Sequence, residues 1–136
     1  MIKVPRHIID GIIDQAYAEL PNETCGLLAG KESEVVKRFP LTNTDHSPDH
    51  FSFDPTEQFQ VLRIARADGL DIIANFHSHP ESPSRPSEED IRLAFDPGIF
   101  YFIVSLAADK PVLKAFKIQG GAISEIPIEI IESTNS

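Results

Sequence analysis

The sequence contains a single cysteine, Cys25, among 136 residues. One cysteine cannot form an internal disulfide, and it cannot build a zinc site made of several thiolates. It also excludes the zinc deaminases, which need a P-C-x-x-C pair. Cys25 lies in the apolar segment TCGLLAG, and the sequence indicates no base beside it. We therefore expect a small buried side chain and not a nucleophile.

Long apolar runs are also missing. A membrane-spanning helix needs about 18 or more consecutive apolar residues, and no segment reaches that length. The N-terminus, MIKVPRHIID, lacks the charged start and apolar stretch of a signal peptide. Together with the single cysteine, these absences predict a cytoplasmic protein with no membrane partner.

Positive charge is scarce. Twelve Lys and Arg residues stand against 21 Asp and Glu residues, which gives a net charge of −9 at pH 7. Binding to a phosphate backbone needs a basic surface, and no basic segment is present. We expect no nucleic-acid partner.

What is present is an alternation of helical and strand patterns with enough apolar residues, 41%, for one core. Residues 5–20 and 54–69 have helical spacing, the latter with Phe59, Leu62 and Ala65 on one side, and 87–95 predicts a short third helix. Apolar runs bounded by turn residues predict strands at 24–30, 33–41, 70–79, 100–107, 111–118 and 121–130. This order predicts an α/β fold with a single mixed sheet flanked by helices. We expect one domain over residues 1–130, a polar surface loop at 42–50 and a flexible tail at 131–136.

Two histidines stand one residue apart in the segment NFHSHPESPSRPSEED, residues 75–90. In a strand, side chains at i and i+2 project from the same face, so His77 and His79 would lie side by side. Two imidazoles are half of a metal site, because a catalytic zinc takes three protein ligands and a water. A structural or solvent-exposed histidine pair is the alternative.

Asp90 is the best candidate for the third ligand. The loop from Pro80 to Pro86 can turn the chain back and begin a helix whose first turn carries Asp90. The same residues also have a purely structural interpretation, since Ser87 and Asp90 have the spacing of a helix capping box.

The combination of His77, His79, Ser87 and Asp90 resembles the JAMM motif of the MPN+ metalloproteases, H-x-H-x7-S-x2-D, at every defined position. That motif also has an upstream glutamate before a run of the type C-G-L-L-x-G, and NETCGLLAG supplies Glu23. The segments HFSFDPTEQ and IIANFHSHP look similar to family segments too. The resemblance spans most of residues 8 to 106 and implies the MPN/JAMM domain, a curved mixed sheet with cytidine-deaminase-like architecture.

The resemblance implies a role for each of these residues. His77, His79 and Asp90 would hold one Zn²⁺, which lowers the pKa of its bound water from about 15.7 towards about 7. Glu23 would act as general base towards that water and pass the proton to the leaving amine. Ser87 would donate a hydrogen bond to the developing oxyanion.

The family resemblance also implies the substrate. The chain is similar to stand-alone prokaryotic members, so the implied activity is hydrolysis of a peptide or isopeptide bond after the C-terminal Gly-Gly of a ubiquitin-like or sulfur-carrier protein. Two alternatives remain: a non-catalytic MPN-type binding scaffold, and a RadC-like protein associated with DNA repair, which shares the H-x-H…S-x2-D spacing. All four acid and metal positions are present, which disfavours the scaffold, and the net charge of −9 disfavours direct DNA binding.

Overall fold

The computed structural model describes residues 1–132, which form one eight-stranded sheet and three helices. The elements, in chain order, are β1 Ile2–Pro5, α1 Arg6–Ala18, β2 Cys25–Lys31, β3 Glu34–Leu41, α2 Pro55–Ala67, β4 Asp71–His79, α3 Glu88–Arg92, β5 Phe100–Ser105, β6 Val112–Gln119, β7 Ala122–Ile126 and β8 Ile128–Ile131. The predicted α/β class with a single mixed sheet is confirmed. None of the described helices is long and apolar enough to cross a membrane.

The sheet is strongly curved, as the connection between its two edge strands shows. Its strand order is β7-β6-β5-β4-β2-β3-β1-β8, so β7 and β8 lie at opposite edges. Pro127 alone joins them, with Ile126 paired to β6 and Ile128 paired to β1. Because consecutive Cα atoms are only about 3.8 Å apart, the two edges must curl towards each other.

The last strand differs from the sequence prediction. Residues 121–130 read as one strand, but Pro127 has no N–H for a ladder and divides the segment into β7 and β8. The expected tail at 131–136 begins with Ile131, the last residue of β8, and Glu132 pairs with Arg6 at the start of α1. Residues 133–136 lie outside the described part of the chain.

Helix α1 packs inside the curve of the sheet. Its buried face carries Ile8, Ile9, Ile12 and Ala16, as the helical spacing predicts. These side chains join the largest core cluster with apolar residues of six strands. The strand residues of this cluster are Ile2, Val4, Leu28, Val35, Ile73, Ala74, Phe76, Phe100, Phe102, Val104 and Ala115.

Helix α2 covers the opposite face of the sheet, beside β2 and β3. Asp54 caps it by accepting a hydrogen bond from Thr56 N–H at 2.9 Å. The predicted buried side is partly wrong, because Val61 and Ala65 are buried whereas Phe59 and Leu62 are exposed. The helix is rotated so that Val61 and Ala65, which are four residues apart, face the sheet.

Strand β4 lies at the centre of the sheet, antiparallel to β2 and parallel to β5. Its close contact with β2 depends on Gly26, since a Cβ there would lie 2.3 Å from the ring of Phe76 and 2.5 Å from the carbonyl oxygen of Phe39. This packing fixes Phe76 towards the α1 side. The neighbouring residues of β4, Asn75 and His77, therefore face the α2 side.

Candidate metal centre

The two histidines of the H-x-H pair lie side by side at the carboxyl end of β4, as strand alternation predicts. The rings of His77 and His79 have centroids 4.9 Å apart, and both side chains are buried. Ser78 points the other way and accepts a hydrogen bond from Thr24 N–H at 2.8 Å. The backbone N–H of Ser78 donates to the carbonyl of Thr24 at 3.1 Å. The pair is thus anchored to the chain just before β2.

The Ser/Pro loop after β4 brings Asp90 back to the histidines. The loop is fixed at two points, because Ser84 Oγ donates to the carbonyl of Val112 and Ser105 Oγ donates to the carbonyl of Ser82, each at 2.6 Å. Asp90 Oδ2 then lies 3.2 Å from His77 Nε2 and 3.1 Å from His79 Nε2.

The capping box and the cluster with the histidines are both present. Ser87 Oγ accepts from Asp90 N–H at 3.1 Å, and Asp90 Oδ2 accepts from Ser87 N–H at 2.9 Å. The same oxygen, Oδ2, also faces both imidazoles. The two interpretations of the SEED segment are therefore compatible, since the cap orients the carboxylate that faces the histidines.

The donor set fits a small divalent metal ion. His79 Nδ1–H donates to the carbonyl of Pro83 at 2.8 Å, which leaves the lone pair of Nε2 free to face His77 and Asp90. The three facing atoms are 3.1 to 3.2 Å apart. Ligands at about 2.0–2.1 Å around a tetrahedral zinc are separated by about 3.3 Å, so the triangle needs little adjustment. Among the described residues, His77, His79 and Asp90 form the only group of this kind.

The charge of Asp90 also favours ligation. Burial opposes the charged form of Asp90, but the two facing imidazoles and the hydrogen bond from Ser87 N–H outweigh it and hold the pKa of this carboxyl well below its ordinary value. Asp90 is therefore a carboxylate at neutral pH. Burial disfavours the charged form of His79 as well, but Asp90 and the Pro83 carbonyl raise the pKa of this imidazole overall. The carboxylate of Asp90 provides a buried negative charge that a bound cation would offset, and a metal that binds Nε2 of His79 must displace the proton that the raised pKa favours there.

Glu23 is a buried carboxyl just before β2, only 4% exposed. Its backbone is held from both sides, since Glu23 N–H donates to the carbonyl of Ser47 at 2.8 Å and Asn43 Nδ2 donates to the carbonyl of Glu23 at 3.0 Å. Burial is the main cause that raises the pKa of Glu23 from 4.5 to about 8, with Asp90 among the nearby charges that add to it and His79 opposing it. A carboxyl tuned towards neutral pH suits proton transfer.

The raised pKa of Glu23 predicts a pH-dependent stability of the metal-free protein. Between pH 4.5 and about 8, Glu23 holds a proton in the folded state and has lost it in the unfolded state. The free energy of unfolding therefore falls as pH rises through this interval, by at most about 1.4 kcal/mol per pKa unit. Glu23→Gln removes this titration, so the chelator-treated variant should be more stable than the chelator-treated parent at pH 9.

Urea unfolding of both metal-free proteins at pH 4 and pH 9 measures this effect. At pH 4 Glu23 is protonated in both states, so the variant and the parent should have similar free energies of unfolding. A stability difference that is the same at both pH values would contradict a titrating, buried Glu23.

The loop at 42–50 is more than the polar surface loop expected from its composition. Asn43 is buried, and its Nδ2 donates both to the carbonyl of Glu23 and to the carbonyl of His50, each at 3.0 Å. At the end of the loop, Phe51 stacks on the ring of His77 with centroids 4.7 Å apart. The HFSFD segment resembles the family in sequence, but the sequence does not predict its aromatic contact with His77.

Cys25 behaves as the sequence indicated. It is fully buried among apolar side chains of β2, β3 and α2, and burial raises the pKa of its thiol to about 12. A thiol in this state is not a nucleophile at neutral pH.

Comparison with known proteins identifies the family. The family model of prokaryotic homologs of the JAB domain matches residues 5–119. A CysO-cysteine peptidase from Mycobacterium tuberculosis is 31% identical over 129 residues, covering 92% of this chain and 88% of the relative. A desampylase from Pyrococcus furiosus is 30% identical over 128 residues, covering 93% and 89%.

Solved structures agree on the fold. The solution structure of a Desulfitobacterium hafniense protein is 43% identical with a TM-score of 0.90, covering 98% of this chain and 94% of that chain. A JAB1/MPN domain protein from Archaeoglobus fulgidus has a TM-score of 0.67 at 24% identity, covering 96% and 97%, and supports the fold alone. The predicted JAMM resemblance is confirmed, and the chain belongs to the prokaryotic homologs of the JAB domain.

Proposed function

We propose that this protein is a zinc-dependent peptidase that cleaves after the C-terminal Gly-Gly of a ubiquitin-like or sulfur-carrier protein. The observation that carries the proposal is the meeting of His77, His79 and Asp90 at 3.1 to 3.2 Å, close to a buried Glu23 whose pKa is raised. A non-catalytic scaffold would have no need for this combination.

The relatives confirm the enzyme class predicted from the sequence. They are named as a CysO-cysteine peptidase and a desampylase, and each aligns with more than nine-tenths of this chain. These names support a small protein modifier as the substrate class here.

In the proposed enzyme, His77, His79 and Asp90 would hold the Zn²⁺. When bound, zinc supplies a low-pKa water and polarises the scissile carbonyl. The protein holds its three donors ready, because the Pro83 carbonyl orients His79 and the capping box orients Asp90. Phe51 stacks on the ring of His77 and covers one of its two faces.

Glu23 moves the proton. Its carboxylate takes a proton from the attacking water and later gives it to the nitrogen of the leaving amine. In the metal-free protein, burial and the neighbouring acids raise the pKa of this carboxyl to about 8. The positive charge of a bound cation would lower this pKa towards neutral pH, where the carboxylate can take the proton and return it more easily than an ordinary glutamate.

Ser87 stabilises the transition state. Its Oγ accepts the N–H of Asp90, so the hydroxyl proton stays available to the developing oxyanion. We expect Ser87→Ala to lower kcat about 100- to 1000-fold, the usual cost of one such donor. The lost helix cap should reduce the free energy of unfolding by only about 1 kcal/mol. Steady-state kinetics beside zinc analysis measures both effects, and a variant with full zinc and unchanged kcat would disprove the role.

Glycine specificity follows from the space at the centre. The cavity that His77, Asp90 and Phe51 line has a volume of about 50 Å³, against about 660 Å³ for the neighbouring groove between α2 and the α3 region. A strand that approaches the metal through this narrow space has little room for side chains beside the scissile bond.

Hydrolysis of a panel of ubiquitin-like and sulfur-carrier proteins tests the proposal. Each member carries an extension beyond its Gly-Gly, either as a linear peptide or on a lysine side chain. We expect the zinc-loaded protein to release the extension from at least one member and the chelator-treated protein to release none. Bound zinc without cleavage of any member would overturn the substrate class, and absence of both zinc and cleavage would favour the scaffold.

A further inference from the structure

Asn75 lies on the face of β4 that carries the two histidines. Residues 75, 77 and 79 alternate with Phe76 and Ser78, so the three side chains project in the same direction. In the sheet register, Asn75 pairs with Leu27 of β2 and Tyr101 of β5. A polar amide is thus flanked by one aliphatic and one aromatic neighbour, one strand pleat away from His77.

The side-chain oxygen of Asn75 accepts no hydrogen bond within residues 1–132. Its Oδ1 is shielded from solvent, and no described protein donor reaches it. The hydroxyl of Tyr101 is already engaged, since it donates to the carbonyl of Asp96 at 2.8 Å. An unpaired buried amide oxygen costs about 1–3 kcal/mol, and such a cost in a folded protein calls for an explanation.

The position of Asn75 between two cavities suggests an explanation for its unpaired oxygen. Asn75, Leu93 and Tyr101 line both the groove of about 660 Å³ and the cavity of about 50 Å³ that contains His77 and Asp90. The amide therefore lies at the junction between the open groove and the metal centre. Large apolar side chains, including Phe53, form much of the groove wall.

We propose that Asn75 binds the main chain of the extended substrate tail and sets its register against the metal centre. This inference rests on the proposed function, and it assigns Asn75 as a substrate-binding residue. A primary amide offers one acceptor and two donors. Because Oδ1 is shielded in the free protein, the side chain must turn towards the groove for its oxygen to accept a peptide N–H while its nitrogen donates to a peptide carbonyl. Because this contact uses only the main chain of the tail, it does not depend on which side chain the tail carries at this position.

The distance between Asn75 and His77 along β4 indicates which residues of the tail Asn75 would contact. A strand rises about 3.3 Å per residue, so Asn75 lies about 6.6 Å from His77 along the strand axis. An extended tail in the groove would therefore meet Asn75 within the last four residues before the scissile bond.

Asn75→Leu tests the proposal because leucine is apolar and of similar size. We expect zinc content to stay at the parent level and the affinity for a hexapeptide ending in Gly-Gly to fall about tenfold, the effect of losing one or two hydrogen bonds. Kinetically, KM should rise by a similar factor with kcat within about twofold. The unfolding midpoint in urea should be equal to or higher than that of the parent, because an apolar side chain replaces an unpaired polar one.

N-methylated peptides identify the partner of the amide. Each of the last four peptide N–H groups is methylated in turn, and binding to zinc-loaded Glu23→Gln and Glu23→Gln/Asn75→Leu is measured by calorimetry. Methylation of one N–H group should weaken binding to Glu23→Gln about tenfold and should not weaken binding to Glu23→Gln/Asn75→Leu further. The effects of the methyl group and of Asn75→Leu would then be non-additive.

Three outcomes would overturn the proposal. They are equal affinity of the two proteins for the hexapeptide, additive effects of methylation and Asn75→Leu, and a clear loss of stability in Asn75→Leu, which would show that the amide is already satisfied. The binding experiment needs no turnover. Failure of the parent to cleave any protein would therefore count against the proposed function, and failure of the peptide to bind would count against the role of Asn75.

Discussion

Replacing Glu23 by glutamine is expected to lower kcat/KM about 10²- to 10⁴-fold, the usual contribution of a general acid–base group. Glutamine has nearly the same shape but cannot take the proton of the attacking water or return it to the leaving amine. Glu23 lies outside the His77, His79 and Asp90 group, so bound zinc should stay at the parent level. Kinetics on the best member of the substrate panel, together with zinc analysis, measures both quantities.

Glu32→Gln is the matched control, because Glu32 is an exposed carboxylate in the turn between β2 and β3. The same change of charge there should leave kcat/KM within about twofold, since surface substitutions far from a site have small effects. Glu23→Gln with full activity would remove Glu23 from the mechanism. Loss of zinc together with activity would instead assign it a part in holding the metal.

Asp90→Asn has the second large expected effect, loss of the metal. The variant replaces a charged ligand oxygen by a neutral amide, which is a weaker donor to a divalent cation. Loss of a group that hydrogen-bonds to a metal ligand already costs about 10- to 100-fold in metal affinity, so loss of a ligand charge should cost at least about 100-fold. We expect zinc content after dialysis to fall far below one ion per chain, and activity to fall with it.

The fold should survive this change. The amide oxygen of asparagine can still accept the N–H of Ser87, so the capping box of α3 remains. Glu88→Gln, an exposed acid two residues away in the same helix turn, serves as the control and should keep its zinc. Stoichiometric zinc in Asp90→Asn would show that the metal is held elsewhere.

The histidine pair was predictable because strand alternation is a local rule. Once β4 is a strand, the spacing of His77 and His79 places both rings on one face without reference to the remaining fold. Asp90 was predictable only as one of two interpretations, since a capping box leaves the same residue pattern. The structure shows why the pattern could not separate them, because one oxygen of Asp90 faces the N–H of Ser87 and both imidazoles.

The missed features depend on contacts between distant segments. Strand β1 has only four residues, and β8 becomes a separate strand because Pro127 interrupts the ladder and β1 offers a second edge. The spacing of Phe59, Leu62 and Ala65 predicted the wrong buried side for two of these residues. Phe59 and Leu62 are exposed because contact with the sheet rotates α2 so that Val61 and Ala65 are buried. Composition predicts only a polar loop around Asn43, because no local rule indicates that its side-chain amide donates to the carbonyls of Glu23 and His50.

The most direct test of the central claim is the mass of the product formed in water enriched in ¹⁸O. A ubiquitin-like protein with a C-terminal extension is incubated with the zinc-loaded protein, and the intact mass of the shortened protein is measured. We predict a product that ends at the second glycine and carries one ¹⁸O in its new carboxylate, with no product from Glu23→Gln under the same conditions. A cut at another position, a product without ¹⁸O, or an equal yield from Glu23→Gln would contradict hydrolysis by the proposed centre.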